Sequence, residues 1–241
     1  MGLVYKEDED LHFLQHCSEE QLKVITTLLT HDDKGKQRLA SELLKHDEFK
    51  ALENHPEQHR RNWQLIAGEL QHFGGDSIAN KVRGHGLLYR AILMDVCKRL
   101  KLKVDKTMST LETEQSLLEH FLRNSWQKMD DVHRAEFLAA VDAKVTELEA
   151  LLPLLLKDPQ LAAGVSHLLS GQLSKILRTH AAISVVGHGL LRGAGLGGPF
   201  GAALNGVKAV SGSAYRVTIP AVLQIACLRR ILQHQQERQT A

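Results

Sequence analysis

Between Asp158 and Glu237 the chain has no acidic residue at all. That window carries Lys175, Arg178, Arg192, Lys208, Arg216, Arg229 and Arg230. The chain as a whole is only +2, so the first 158 residues have a net charge of −5. Such segregation points to an acidic partner, an anionic lipid surface or the chain's own acidic half. Cysteine is scarce as well: Cys17, Cys97 and Cys227 are far apart and form no CxxC pair. This excludes a disulfide frame and a zinc knuckle, and it fits a reducing compartment. Aromatic residues make up 5% of the chain, which leaves few stacking platforms for nucleic acid. Long apolar runs are missing too. In the most apolar stretch the uncharged runs cover residues 181–191, 193–207, 209–215 and 217–228, each short of the roughly 20 residues that span a bilayer. The N-terminal MGLVYKEDEDLHFLQ is acidic and reads as no secretory signal, so the expected location is cytoplasmic, with a peripheral position on the inner membrane as the variant reading.

What is present is helical periodicity. Ser18 with Gln21 has capping-box spacing and opens a helix whose Leu22, Ile25, Leu28 and Leu29 share a face. Before it, Glu7 to Leu14 reads as an acidic, then apolar, turn of helix. A second helix is expected over Lys36 to Lys45, followed by a polar connector from His46 to His59 that contains Pro56. Trp63, Ile66, Leu70 and Phe73 mark a helix stopped by Gly74 and Gly75, and a further helix resumes over Leu87 to Leu102. Ser109 with Glu112 gives another capping box, leading through Leu118, Phe121, Leu122 and Trp126. Asp131 opens a helix expected to carry Phe137, Val141, Val145, Leu148 and Leu152 on one stripe up to Pro153. No stretch alternates like a strand for long. The expected fold is all-α: a multi-helix globular bundle with a C-terminal glycine-rich helical hairpin. The expected domains are a short N-terminal helical domain (1–50), a central helical domain (51–158) and a glycine-rich basic C-terminal region (159–241).

The C-terminal stretch AAISVVGHGLLRGAGLGGPFGAALNGVKAV is unlike the rest of the chain. Gly198 and Pro199 have the order of an N-cap and a first helical residue, which predicts a helix, a tight turn and a second helix. Thr218 and Pro220 are expected to start a third. Gly189, Gly193, Gly197 and Gly201 recur in steps of four, and the first three stay in register ahead of the Pro199 break. They would form a smooth seam for close backbone approach. A helical glycine costs about 1 kcal/mol relative to alanine, so this hairpin needs a packing partner.

Sequence signatures of chemistry do not converge. Gly193, Gly195 and Gly198 match GxGxxG, but no βα pattern surrounds them and no acid follows to hold a ribose. His55 and His59 have the i, i+4 spacing of a metal pair, yet Pro56 between them breaks the helix that such a pair needs. His85 and His188 each sit in a Gly-His-Gly triplet that permits a tight bend. Neither GxSxG nor HExxH occurs, so no nucleophile, base, cofactor or metal residue is nominated. Arg229 and Arg230 read as complements to a helix C-terminus, and specific nucleic-acid recognition is not expected.

Three blocks, YKEDEDLHFLQHCS, ELQHFGGDSIANKVRGHGLLYRAIL and GGPFGAALNGV with SAYRVTIPAVLQIACLR, together resemble the YaaW-like family of uncharacterised bacterial proteins. The resemblance implies a bacterial protein with a short N-terminal domain of unknown function. It also implies a central part grouped with ubiquinol–cytochrome c chaperones, which are helical assembly factors. The matched residues that become candidates for interaction are Phe73, Gly74, Gly75, Asn80, Arg83, Gly84, Tyr89 and Arg90, then Gly198, Pro199, Tyr215, Arg216 and Pro220. The glycine seam of Gly189, Gly193 and Gly197 joins them. Where similar chains usually read GPIGW, this one reads Gly198-Pro199-Phe200-Gly201-Ala202 and lacks the tryptophan. The expected function is non-enzymatic binding or assembly, with the hairpin docking a protein partner or itself. The alternative is a hairpin that binds or inserts into anionic lipid.

Overall fold

A computed structural model describes residues 3–32, 35–74, 86–140, 144–157 and 214–240. In chain order the α-helices are α1 (Glu19–Thr30), α2 (Asp47–Ala51), α3 (Gln58–Arg61), α4 (Trp63–Gly74), α5 (Tyr89–Arg99), α6 (Thr110–Gln127), α7 (Asp131–Ala140), α8 (Leu148–Lys157) and α9 (Tyr215–Thr240). Two 3-10 helices, Glu9–His16 and Leu43–Lys45, precede α1 and α2. The described residues contain no strand, only an isolated antiparallel bridge between His31 and Gln37. The fold is all-α, as the periodicity predicts.

The hydrophobic pattern explains why α9 lies at the centre. Val217, Ile219, Ala221, Val222, Leu223, Ile225, Ala226 and Leu228 are apolar around the whole circumference, and all are buried. The helix is enclosed by α1, α4, α5 and α6. Around it, Leu22, Ile25 and Leu29 of α1, Ile66 and Leu70 of α4, Ile92 and Val96 of α5, and Leu117 and Phe121 of α6 complete one core cluster. The three cysteines are buried in this core, which pushes the Cys17 and Cys227 thiols up to about 12 and Cys97 to about 11. They are packing residues, not nucleophiles.

Local chemistry sets the helix ends. Both capping boxes form: Ser18 Oγ accepts from the Gln21 amide while Gln21 Oε1 accepts from the Ser18 amide, and Ser109 with Glu112 repeats the exchange. Gly74 closes α4, where an added Cβ would stand 2.3 Å from Ile92 Cγ1. Gly86 is tighter, because a Cβ there would lie 2.2 Å from the backbone carbon of Gln71. The end of the Gly-His-Gly triplet thus serves close backbone approach between the segment entering α5 and the end of α4.

Three sequence expectations are corrected. Lys36 to Lys45 is not a helix. It is a bridge and turn, with only Leu43–Lys45 helical, and Leu39 is 90% exposed. The three leucines in that stretch lack a filled apolar face, so periodicity alone could not hold a helix. The stripe from Asp131 to Leu152 is two helices, since residues 144–147 are non-helical, and Pro153 lies inside α8. The last helix begins at Tyr215, not at Thr218 or Pro220. Pro220 falls inside it and withholds one rung near the N-terminus, where burial of the following turns compensates. The helical hairpin expected over residues 181–213 lies outside the described residues.

Candidate functional site

Polar side chains inside an apolar bundle must be satisfied or they cost stability, so their pairing separates those that build the fold from those left available. The largest buried network sits where α9 meets α5 and α6. Arg229 Nε donates to Glu114 Oε2 at 2.7 Å, and its Nη2 donates to the Asp10 carbonyl at 2.6 Å. Tyr89 Oη donates to Glu114 Oε1 at 2.6 Å. The guanidinium also covers the Phe13 ring at 4.2 Å. Burial raises the Glu114 carboxyl above its ordinary range, and the facing Arg229 and Tyr89 oppose that rise. Burial and the neighbouring Glu114 push the Tyr89 phenol up in turn.

The network continues into the N-terminal segment. Asp8 Oδ2 accepts from the Tyr89 amide at 2.6 Å, satisfying an orphan donor at the start of α5. Asp8 also accepts from Gln71 Nε2, whose amide group brackets the backbone of Lys6 with bonds of 2.8 and 2.9 Å. Residues from the N-terminal segment, α4, α5, α6 and α9 are therefore locked together. Arg229 does not sit at a helix C-terminus: α9 runs on to Thr240, and the side chain turns inward to a buried carboxylate. The reading of Arg229 as a dipole complement is corrected accordingly.

A second buried carboxylate is Glu69 of α4. It accepts from the amides of Glu42 and Leu43 at 3.1 to 3.3 Å and so caps the Leu43–Lys45 turn. Burial pushes its carboxyl up to about 7.

The opposite case is a cleft of about 850 Å3 that runs along α1 and is closed on its far side by residues 37–59. Glu19, Lys23, Thr27 and Thr30 recur at intervals of three or four, so they form one rail along the helix, roughly 17 Å long at 1.5 Å per residue. Leu44, Phe49 and Pro56 give the cleft an apolar wall. At one end Glu19 accepts from the amides of His59 and Arg60 at 3.0 Å and pairs with His59 Nδ1 at 2.5 Å. Burial alone raises Glu19, but these amide and imidazole donors reverse the effect and hold it below its ordinary value. Burial lowers His59 despite the carboxylate beside it. The His59 ring also packs edge-on against Phe49, with centroids 5.7 Å apart. Thr27 and Thr30 return their hydroxyls to carbonyls one turn back, whereas the buried Thr26 Oγ1 has no hydrogen-bond partner among the described residues. His55 lines the same cleft, but its Nδ1 accepts from the Glu57 amide in the turn around Pro56. Among the described residues no group of three or more His, Cys, Asp or Glu is placed to hold a metal ion.

The residues singled out from the sequence fall in several places. Tyr89 belongs to the buried network. Arg90 holds the next loop, donating to the carbonyls of Lys106 and Met108 and to Thr110 Oγ1. Phe73 and Gly74 end α4, Tyr215 lies under the Arg99 guanidinium at 5.1 Å, Arg216 is exposed, and Pro220 is in α9. Gly75, Asn80, Arg83, Gly84, Gly189, Gly193, Gly197, Gly198 and Pro199 lie outside the described residues. Sequence reasoning missed Glu114, Glu69 and the Glu19–His59 pair. The signal for Glu114 and Glu69 was a lone acid within each apolar helical stripe.

Comparison with known proteins then places the chain. It is 75% identical to the UPF0174 protein YaaW of Escherichia coli strain K12 over 96% of its own length and 98% of the relative's. It is 31% identical to a UPF0174 protein of Helicobacter pylori strain J99 over 94% of this chain and 93% of that one. The chain belongs to the UPF0174 (YaaW) family. Within this UPF0174 chain, residues 58–223 match the family described as ubiquinol-cytochrome C chaperone, and residues 5–39 match a domain of unknown function, DUF3944. No solved structure matches it. The DUF3944 match covers the Asp8 and Asp10 contacts and all of α1. The chaperone match takes in Tyr89 and Glu114 but stops short of Arg229, so the buried network joins both matched segments to the end of the chain.

Proposed function

We propose that this protein is a non-enzymatic, chaperone-like assembly factor that binds a protein partner, and that the cleft along α1 seats a segment of that partner. The observation that carries this reading is the contrast in how polar groups are used. The Glu114 and Glu69 carboxylates that build the fold are bonded inside it, while the cleft carries the Lys23 and Lys50 ammonium groups, with no ion pair among the described residues, beside an apolar wall. A recognition site for polypeptide needs such a mixture: apolar area for affinity and placed polar groups for orientation. The match of residues 58–223 to a family of ubiquinol-cytochrome C chaperones supports a protein partner over a small substrate. The glycine-rich stretch 181–213 is the second surface that we assign to partner contact, whether with another protein or another copy of this chain, and that assignment rests on its sequence.

The test is a photo-crosslinking amino acid placed at Glu53, on the rim of the cleft, and at Lys128, remote in sequence and absent from its lining, in cells of Escherichia coli. The expected result is a discrete protein adduct from the Glu53 position that is absent from the Lys128 position. Equal labelling from both positions would remove the cleft as the binding site. Flotation of the purified protein with anionic vesicles separates this reading from the lipid alternative. Among the described residues no helix is long and apolar enough to cross a membrane.

A further inference from the structure

The turn that follows Gln37 presents a leucine to solvent. Leu39 is 90% exposed, more than any other large apolar side chain among the described residues, and Ala40 beside it is exposed as well. Its backbone is nevertheless fixed. The Ser41 amide donates to the Arg38 carbonyl at 3.1 Å, which closes a four-residue turn with Leu39 and Ala40 at its centre. On the near side, the Arg38 amide donates to the Thr30 carbonyl at 2.7 Å and the Asp32 amide to the Lys36 carbonyl at 2.8 Å, flanking the His31–Gln37 bridge. On the far side, the Glu42 and Leu43 amides are held by Glu69. Lys45 Nζ, paired with Glu42 at 3.2 Å, also donates to the Leu39 carbonyl at 3.2 Å. The tip is thus tied to α1 and α4 while its leucine stands in solvent. A side chain left in water adds no burial free energy to folding, so the fold gives no reason for an apolar residue there.

The turn adjoins the cleft. The chain lines the cleft at Gln37, leaves it for the turn and lines it again at Leu44. Two peptide bonds separate Gln37 from Leu39, so their Cα atoms lie within about 7.6 Å of each other. We infer that Leu39 is a preformed apolar anchor, which enters a leucine-sized pocket on the partner protein whose segment occupies the cleft. The anchor depends on that assignment of the cleft, and it sharpens the partner's chemistry: a folded protein with an apolar pocket beside the segment it inserts, not a free extended peptide. Because the turn is already fixed, docking it costs little conformational freedom. Lipid fits the tip less well, since Leu39 and Ala40 are its whole apolar content and a single leucine is a small wedge for a bilayer. A small molecule fits less well too, because a convex turn encloses no ligand.

The test places a photo-crosslinking residue singly at Ala40 and at Glu53 of the full-length protein in cells of Escherichia coli, each with Leu39 intact, with Leu39→Ser and with Leu39→Met. Adducts of the same mass are expected from both positions. Their yield should fall about tenfold or more in Leu39→Ser and stay within about twofold of the parent in Leu39→Met. Urea midpoints of both variants should match the parent, because the side chain is exposed. A Glu53 adduct that is indifferent to Leu39→Ser, or that has no counterpart at Ala40, would overturn the anchor. A Leu39→Ser protein that lost stability together with its adduct would overturn it too, since the leucine would then belong to the fold. An Ala40 adduct abolished by Leu39→Ser, with none from Glu53, would keep the anchor and remove the cleft as the binding site. No adduct from either position would overturn both. An adduct of twice the chain's mass would make a second copy the occupant, and capture by phosphatidylglycerol vesicles that is lost in Leu39→Ser would make it lipid; either refutes the inference.

Discussion

The interior around α9 and the cleft along α1 spend polar groups in opposite ways. At the first, Arg229, Glu114, Tyr89, Asp8 and Gln71 are bonded to one another or to backbone, and the charges are nearly inaccessible. At the second, Glu19 and His59 tie α1 to α3, but the lining beyond them includes the Lys23 and Lys50 ammonium groups, which form no ion pair among the described residues. A buried ion pair is weak evidence for net stability, yet removing one partner is costly. The first region is therefore a lock whose loss should destabilise the fold strongly. The second can be altered with little effect on folding.

The sharpest break of the lock is Arg229→Leu, which strands the Glu114 carboxylate inside the bundle. Denaturant unfolding should show a loss of about 3–5 kcal/mol. Adding Glu114→Leu should restore much of it, because the uncompensated charge disappears.

Glu69 comes next. Its folded value of about 7 lies above the ordinary 4.5 of a glutamate, so the folded state holds its proton more tightly than the unfolded chain does. The resulting stabilisation is complete below about pH 4.5 and is lost as pH rises toward 7, a difference of about 3 kcal/mol at most. In Glu69→Gln, unfolding free energies measured across this window should lose that downward slope.

Gly86→Ala drives a Cβ into the backbone of Gln71 and should cost about 1–3 kcal/mol. Gly74→Ala meets the Ile92 side chain rather than backbone, and the same denaturation experiment should show a smaller loss. Thr26→Val carries the smallest effect and the opposite sign. It removes a buried hydroxyl without a partner and should stabilise by about 1 kcal/mol.

The sequence made the helices legible where two levels agreed. Ser18 with Gln21 and Ser109 with Glu112 announce helix starts because the caps need only local chemistry. It failed over Lys36 to Lys45, where leucine spacing suggests a helix but Glu69, distant in the chain, fixes a short 3-10 turn instead. Arg229 shows the same limit from the other side. Its neighbours in sequence give no sign of Glu114 or of the Asp10 carbonyl, both brought to it by tertiary packing. Tyr89 and Gly86 were visible within a recognised block, but their jobs, a phenol on a buried carboxylate and a backbone contact, belong to the folded chain. The cleft was invisible for the same reason, since α1 supplies one rail and residues 37–59 the other.

The most direct test of this contrast is Lys23→Glu/Lys50→Glu in the protein carrying the photo-crosslinker at Glu53, with stability and adduct yield measured on the same preparation. The account predicts unfolding free energy within about 0.5 kcal/mol of the parent and loss of the adduct. A variant that unfolds as Arg229→Leu does, or one that keeps its full adduct, would contradict it.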